Sequence, residues 1–120
     1  MNTHKHWLLG SVLFNLILIP GAWADNGQLG HALDQAQAAK ASYQSEDTQQ
    51  ASAHTRAALA HVEVLRREHK ADKGLKTAQA DLKDSLRQNK SQANDKASQT
   101  LNLAIERLEQ FKSEQDVKRK

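Results

Sequence analysis

Cysteine is absent from the chain, which excludes disulfides, thiolate metal sites, thiol nucleophiles and a lipid-carrying cysteine beside a cleavage site. Proline occurs once, at Pro20, so no later proline interrupts a helix. Aromatic residues make up 4% of the chain, and beyond residue 24 only Tyr43 and Phe111 remain. Leu, Ile, Val and Phe number fifteen in that stretch, a small stock for a core and close to the composition of disordered chains. No Gly-rich phosphate loop and no His-Glu-x-x-His helix occurs, so two common routes to chemistry are missing. The carboxylates are scattered over the chain rather than gathered. A general acid or base needs a desolvated cleft to shift its pKa, and an Ala-rich helical core leaves little room for one. A non-enzymatic role is expected.

An excess of one charge is also lacking. Seventeen Lys and Arg face fourteen Asp and Glu, for a net charge of +3, and the two signs are interleaved as on a solvated helix face. Lys118-Arg119-Lys120 is the one basic cluster, diluted by Glu114 and Asp116. With so few aromatics, nucleic-acid binding is not expected.

The first 24 residues stand apart. His4, Lys5 and His6 make a positive start, and Trp7 to Ile19 is apolar except for Gly10, Ser11 and Asn15. Pro20-Gly21 then breaks the helix, and Ala22-Trp23-Ala24 puts small residues at the two positions a signal peptidase reads. Charge, apolar run, breaker and A-x-A form the secretory pattern. The run of about 13 residues falls short of the roughly 20 that cross a bilayer. The expected layout is a secretory signal peptide at 1–24, a helical domain at 25–112 and a charged, flexible tail at 113–120. No second apolar run follows, so no membrane span is expected after cleavage, and the expected destination is the periplasm.

What the rest of the chain does have is alanine, sixteen residues beyond position 24, with high helix propensity and little bulk. Its apolar residues recur at helical spacing. Leu29, Ala32, Leu33, Ala36 and Tyr43 form one stripe, and Ala51, Thr55, Ala58, Leu59, Val62 and Leu65 a second. A third runs through Leu75, Ala78, Leu82, Ser85 and Leu86, and a fourth through Ala93, Ala97, Leu101, Ala104, Leu108 and Phe111. Asp47 with Gln50 three residues on resembles a capping box that restarts a helix. Glu68 to Gly74 reads as the central connection, and Ser91 as the N-cap of the fourth helix.

A shift of 46 residues lays Leu29 on Leu75, Ala32 on Ala78, Ala36 on Leu82, Ala51 on Ala97, Ala58 on Ala104, Leu59 on Ile105, Val62 on Leu108 and Leu65 on Phe111. Only Lys40, laid on Leu86, clearly breaks the match. The chain therefore reads as an internal duplication. Short connections between such helices predict an all-α, up-down four-helix bundle built from two repeated helical hairpins. Two hairpins that pair between chains to bury their faces are the alternative, so a homo-oligomer stays open.

Four histidines follow the leader: His31, His54, His61 and His69. His54 and His61 are seven residues apart, which stacks them along one helix edge about 10 Å apart in rise. One ion cannot bridge them, so each needs a ligand from another helix or molecule. Their other reading is a pair of boundary residues that merely pack. His31 has Asp34 and Gln35 one turn on, and His69 has Asp72; both are candidate secondary ligands.

The leader, the duplicated helical hairpins and the run His54-x-x-x-x-Leu59-x-His61 resemble the bacterial small metal-binding protein family. The resemblance extends through Leu29, Ala32, Leu33, Ala36 and Ala39 to Leu82, Leu86, Ala97, Ala104, Ile105 and Leu108. It implies a periplasmic four-helix bundle that binds divalent ions, copper and nickel among them, with His54 and His61 as matching ligands. It also implies His at places where this chain has Gln35, Ser42, Asp47, Asp81, Gln88, Thr100 and Arg107. Two roles remain open at this point. One is binding or buffering of copper or nickel through His54, His61, His31 and His69. The other is a metal-independent structural or interaction module that kept the scaffold and lost most of its ligands.

Overall fold

A computed structural model describes residues 23–119. Helix α1 spans Trp23–Gln44, α2 Thr48–Glu68, α3 Lys73–Lys90 and α4 Asn94–Arg119. The leader at 1–24 therefore lies outside the described residues except for its last two positions, which open α1. No described helix is long and apolar enough to cross a membrane. The helices form the expected all-α four-helix bundle. Each packs most closely on its hairpin partner, α1 on α2 and α3 on α4, with α2–α3 and α1–α4 contacts closing the bundle.

The four stripes meet in one core. Leu75, Leu82, Leu101, Leu108 and Val62 are fully buried, and Ala32, Ala36, Ala39, Ala58, Ala78 and Ala104 let the helices approach closely. Leu33, Tyr43 and Leu59 pack against its edge. A single chain thus buries all four faces, and the hairpins need no second copy to do so. Two polar groups lie inside, each satisfied: Thr55 Oγ1 donates to Ala51 O at 2.7 Å, and Ser85 Oγ donates across to Ala97 O of α4 at 2.7 Å. Lys40 and Leu86, the pair that breaks the repeat, both sit at the half-buried boundary, where either residue type is tolerated because a lysine stem can lie on apolar surface with its charge in water.

The duplication holds down to single hydrogen bonds. In the first turn Ser45 N, Glu46 N and Asp47 N donate to Ala41 O, Tyr43 O and Ser42 O; in the second, Ser91 N, Gln92 N and Ala93 N donate to Arg87 O, Asn89 O and Gln88 O. Every atom of one set lies 46 residues from its counterpart. The 6→1 and 5→2 bonds make both turns Schellman motifs, which need a left-handed residue after the helix. Glu46 (φ 63°) and Gln92 (φ 66°) take that role without being glycine. At this end the repeats also touch, Asn89 Nδ2 donating to Tyr43 Oη at 2.8 Å and to Thr48 O at 3.0 Å. Tyr43 and Asn89 are themselves 46 apart.

Three local readings change. Ser91 is the C-cap of α3, not the N-cap of α4, because its N–H is spent on Arg87 O and Asn89 O and its hydroxyl donates back to Arg87 O. Gly74 lies inside the first turn of α3: Asp72 accepts from Leu75 N at 2.9 Å and starts the helix two residues earlier. Residues 113–119, read as a tail, continue α4; no proline or glycine interrupts them. Asp47 caps α2 as expected, accepting from Gln50 N at 3.1 Å.

Candidate functional site

Three of the four histidines come to one place, the seam between α1 and α2. His54 Nδ1 lies 2.7 Å from Gln35 Oε1, and His61 Nδ1 lies 2.7 Å from Gln28 Oε1. Gln28 and Gln35 are seven residues apart on α1, as His54 and His61 are on α2, so antiparallel packing matches them rung for rung. An amide oxygen can only accept, so Nδ1 carries the proton in both rings. The tautomer is thereby set, and the lone pair belongs to Nε2, an atom through which neutral imidazole holds metals.

Both rings also resist protonation. Burial pushes the His54 pKa below its ordinary value, partly offset by the Asp47 carboxylate. Burial likewise lowers His61, and His31 beside it lowers it further. His31 of α1 stacks on His61, with ring centroids 5.1 Å apart and planes 26° apart. Two imidazoles from different helices are therefore in contact, and His54 stands about 10 Å further along the seam.

His69 is placed elsewhere. It is the C-cap of α2, with its N–H on Leu65 O, and its ring meets Phe111 of α4 edge-on at a centroid distance of 5.2 Å. The structure does not join it to the other three. Among the described residues no three His, Asp or Glu side chains converge to enclose an ion.

The second hairpin shows what its repeat-mate could have been. Positions 46 residues beyond His31, Gln35, His54 and His61 hold Thr77, Asp81, Thr100 and Arg107. Arg107 Nε donates to Asp81 Oδ2 at 2.9 Å across the α3–α4 seam, with the aspartate side chain only 14% exposed. Near it Asp72, Lys73, Thr77, Arg107, Gln110 and Phe111 help line an open groove of about 410 Å³, which brings together charges of both signs. This seam already contains its cation.

Gln28 escaped the reading of the sequence, and Gln35 entered it only as a neighbour of His31 and as a place where histidine was missing. The signal available was the shared seven-residue spacing of two glutamines and two histidines on helices joined by a short turn. Comparison with known proteins completes the picture. A family model described as small metal-binding protein matches residues 1–111. No curated protein and no solved structure matches the chain.

Proposed function

The chain belongs to the small metal-binding protein family, and from that premise we propose that it binds or buffers divalent ions such as copper and nickel through the α1–α2 seam, in the periplasm. The observation that carries the reading is the pair of Gln–His hydrogen bonds at 2.7 Å. Metal-ligating histidines almost always donate their other N–H to an oxygen, which holds the ring and makes the remaining nitrogen a better ligand. His54 and His61 have that support, and His31 lies against His61. Imidazole suits nickel and copper, and copper(II) stands highest in the general affinity order. Because burial keeps both rings neutral, an ion need not displace a proton near pH 7. The leader supports export, which would carry the seam to a compartment outside the cytoplasm.

The test is calorimetric titration with copper(II) and nickel(II) at neutral pH. The unmodified protein should bind, and His54→Ala with His61→Ala should lose the binding. Gln28→Leu and Gln35→Leu should each weaken it by roughly tenfold, as loss of a supporting group usually does. Equal affinity in the double histidine variant would remove the assignment. A second reading, a metal-independent module, is favoured by the Arg107–Asp81 ion pair, which shows one seam of this fold holding itself together without a bound ion. Absence of any copper or nickel binding would put that reading first.

A further inference from the structure

The seam supplies too few ligands for the ions it suits. His31 and His61 can give one nitrogen each, and His54 sits too far along α2 to join them. No third carboxylate or imidazole converges on them among the described residues. Zinc takes four ligands in a tetrahedron and copper(II) or nickel(II) four in a plane, so an ion held here by one chain keeps half its positions for water. The seam lies on the outer flank of the first hairpin, its rings half-buried rather than enclosed. With the imidazoles neutral, Gln28, His31, Gln35, His54 and His61 carry no formal charge, in a chain of which 26% of residues are charged. A second copy can therefore approach this strip without like charges opposing it.

Resting on the metal-binding reading above, we propose that the seam is a half-site completed by a second copy of this chain. The ion is held by His31 and His61 of one copy and His54 of the other. A two-fold axis crossing the seam midway between its two imidazole stations superposes each station on the other, as an isologous contact requires. The assembly then holds two ions, each with three imidazoles and one open position. His54, which has no second histidine beside it in its own chain, gains a function, and the spacing of about 10 Å between the stations becomes the spacing between the two ions.

Sedimentation velocity of the purified protein with and without nickel(II) tests this. The protein should be monomeric after chelation, dimeric with one equivalent of nickel, and monomeric again on adding excess EDTA. His54→Ala and His61→Ala should each stay monomeric with nickel while keeping the helical circular dichroism of the parent. An equimolar mixture of the two variants should recover a heterodimer, because one copy brings His31 and His61 and the other brings His54. That complementation is a gain of assembly, which a misfolded variant cannot imitate. Nickel binding by a protein that remains monomeric overturns the half-site and leaves the metal-binding reading standing. A dimer that survives chelation, or that forms with nickel in His54→Ala alone, also overturns it. If the parent binds no nickel, both proposals fall together.

Discussion

The two hairpins share a backbone and differ in what fills it. Their turns match bond for bond, with Glu46 and Gln92 in the same left-handed conformation, and their buried positions coincide. The side chains diverge. Where the first hairpin buries Ala36, Thr55 and Leu65, the second buries Leu82, Leu101 and Phe111. Across the helix–helix seam the first presents imidazoles oriented by glutamines, and the second an arginine paired with an aspartate. One scaffold has thus been divided between two tasks. The second half supplies more of the apolar volume and neutralises its own seam. The first half has the thinner core and keeps neutral, lone-pair-bearing groups at the surface.

The strongest way to break this comparison is through the core. Leu108→Asp should abolish cooperative thermal unfolding followed by circular dichroism at 222 nm, since an unpaired charge would enter a site with no exposure. Leu82→Ala should cost about 2–5 kcal/mol, whereas Ala36→Gly at the repeat-equivalent position should cost about 1 kcal/mol. Equal losses in urea titrations would mean that the second hairpin does not carry the larger share of the core.

Arg107→Ala comes next. It leaves the Asp81 carboxylate without its donor while Arg107 itself is 40% exposed, so the loss should be about 1–2 kcal/mol, below that of a fully buried pair. Asp81→Asn with Arg107→Ala should recover part of it. A neutral single variant would show that the second seam is not held by the ion pair.

Smaller effects are expected where the hairpins agree. Glu46→Gly and Gln92→Gly should each stabilise the fold by about 0.5–1 kcal/mol, because glycine relieves the left-handed strain at some cost in chain entropy. The two gains should be equal within error, as the turns are the same; a gain at one turn alone would show that the repeat is broken there.

The pH response should separate the hairpins again, and it is the mildest effect. His54 and His61 are lowered in the fold, so below the ordinary value of 6.5 the unfolded chain binds more protons than the native one. Their contribution is complete above that pH and is lost as pH falls through the lowered native values. Melting temperature should therefore decline on acidification below 6.5, and His54→Gln with His61→Gln should flatten that part of the profile. The same shift lets ligand nitrogens stay available somewhat below the pH at which free imidazole protonates. An unchanged slope in the double variant would assign the acid response to other groups.

Much of the fold could be read before any coordinates. The stripes, the 46-residue repeat and the Asp47 cap follow from helical period and from side chains that reach only a few residues along the chain. Local reading failed where two local solutions competed. Ser91 is chemically able to cap either helix, and the Schellman turn takes it for the end of α3. Gly74 marks a break by composition, yet Asp72 had already started the next helix. Residues 113–119 looked like a tail by charge, but charge does not end a helix that has neither proline nor glycine to stop it.

The site was legible only in part, and the division has a physical cause. His54 and His61 could be placed on one edge of one helix because both lie on the same 3.6-residue period. Which residues face them depends on the register between α1 and α2. That register is set by the Schellman turn and by the fit of Ala32, Ala36 and Ala58 in the core, and it has no signature within either helix alone. Sequence by itself therefore determined four helices, their buried faces, the duplication and the edge that carries the histidines. Only the tertiary structure decided that Gln28 and Gln35 orient the rings, that His31 joins His61 while His69 goes to Phe111, and that Arg107 closes the other seam. Partners across a helix interface are chosen by packing over long sequence separations, which helical periodicity does not encode.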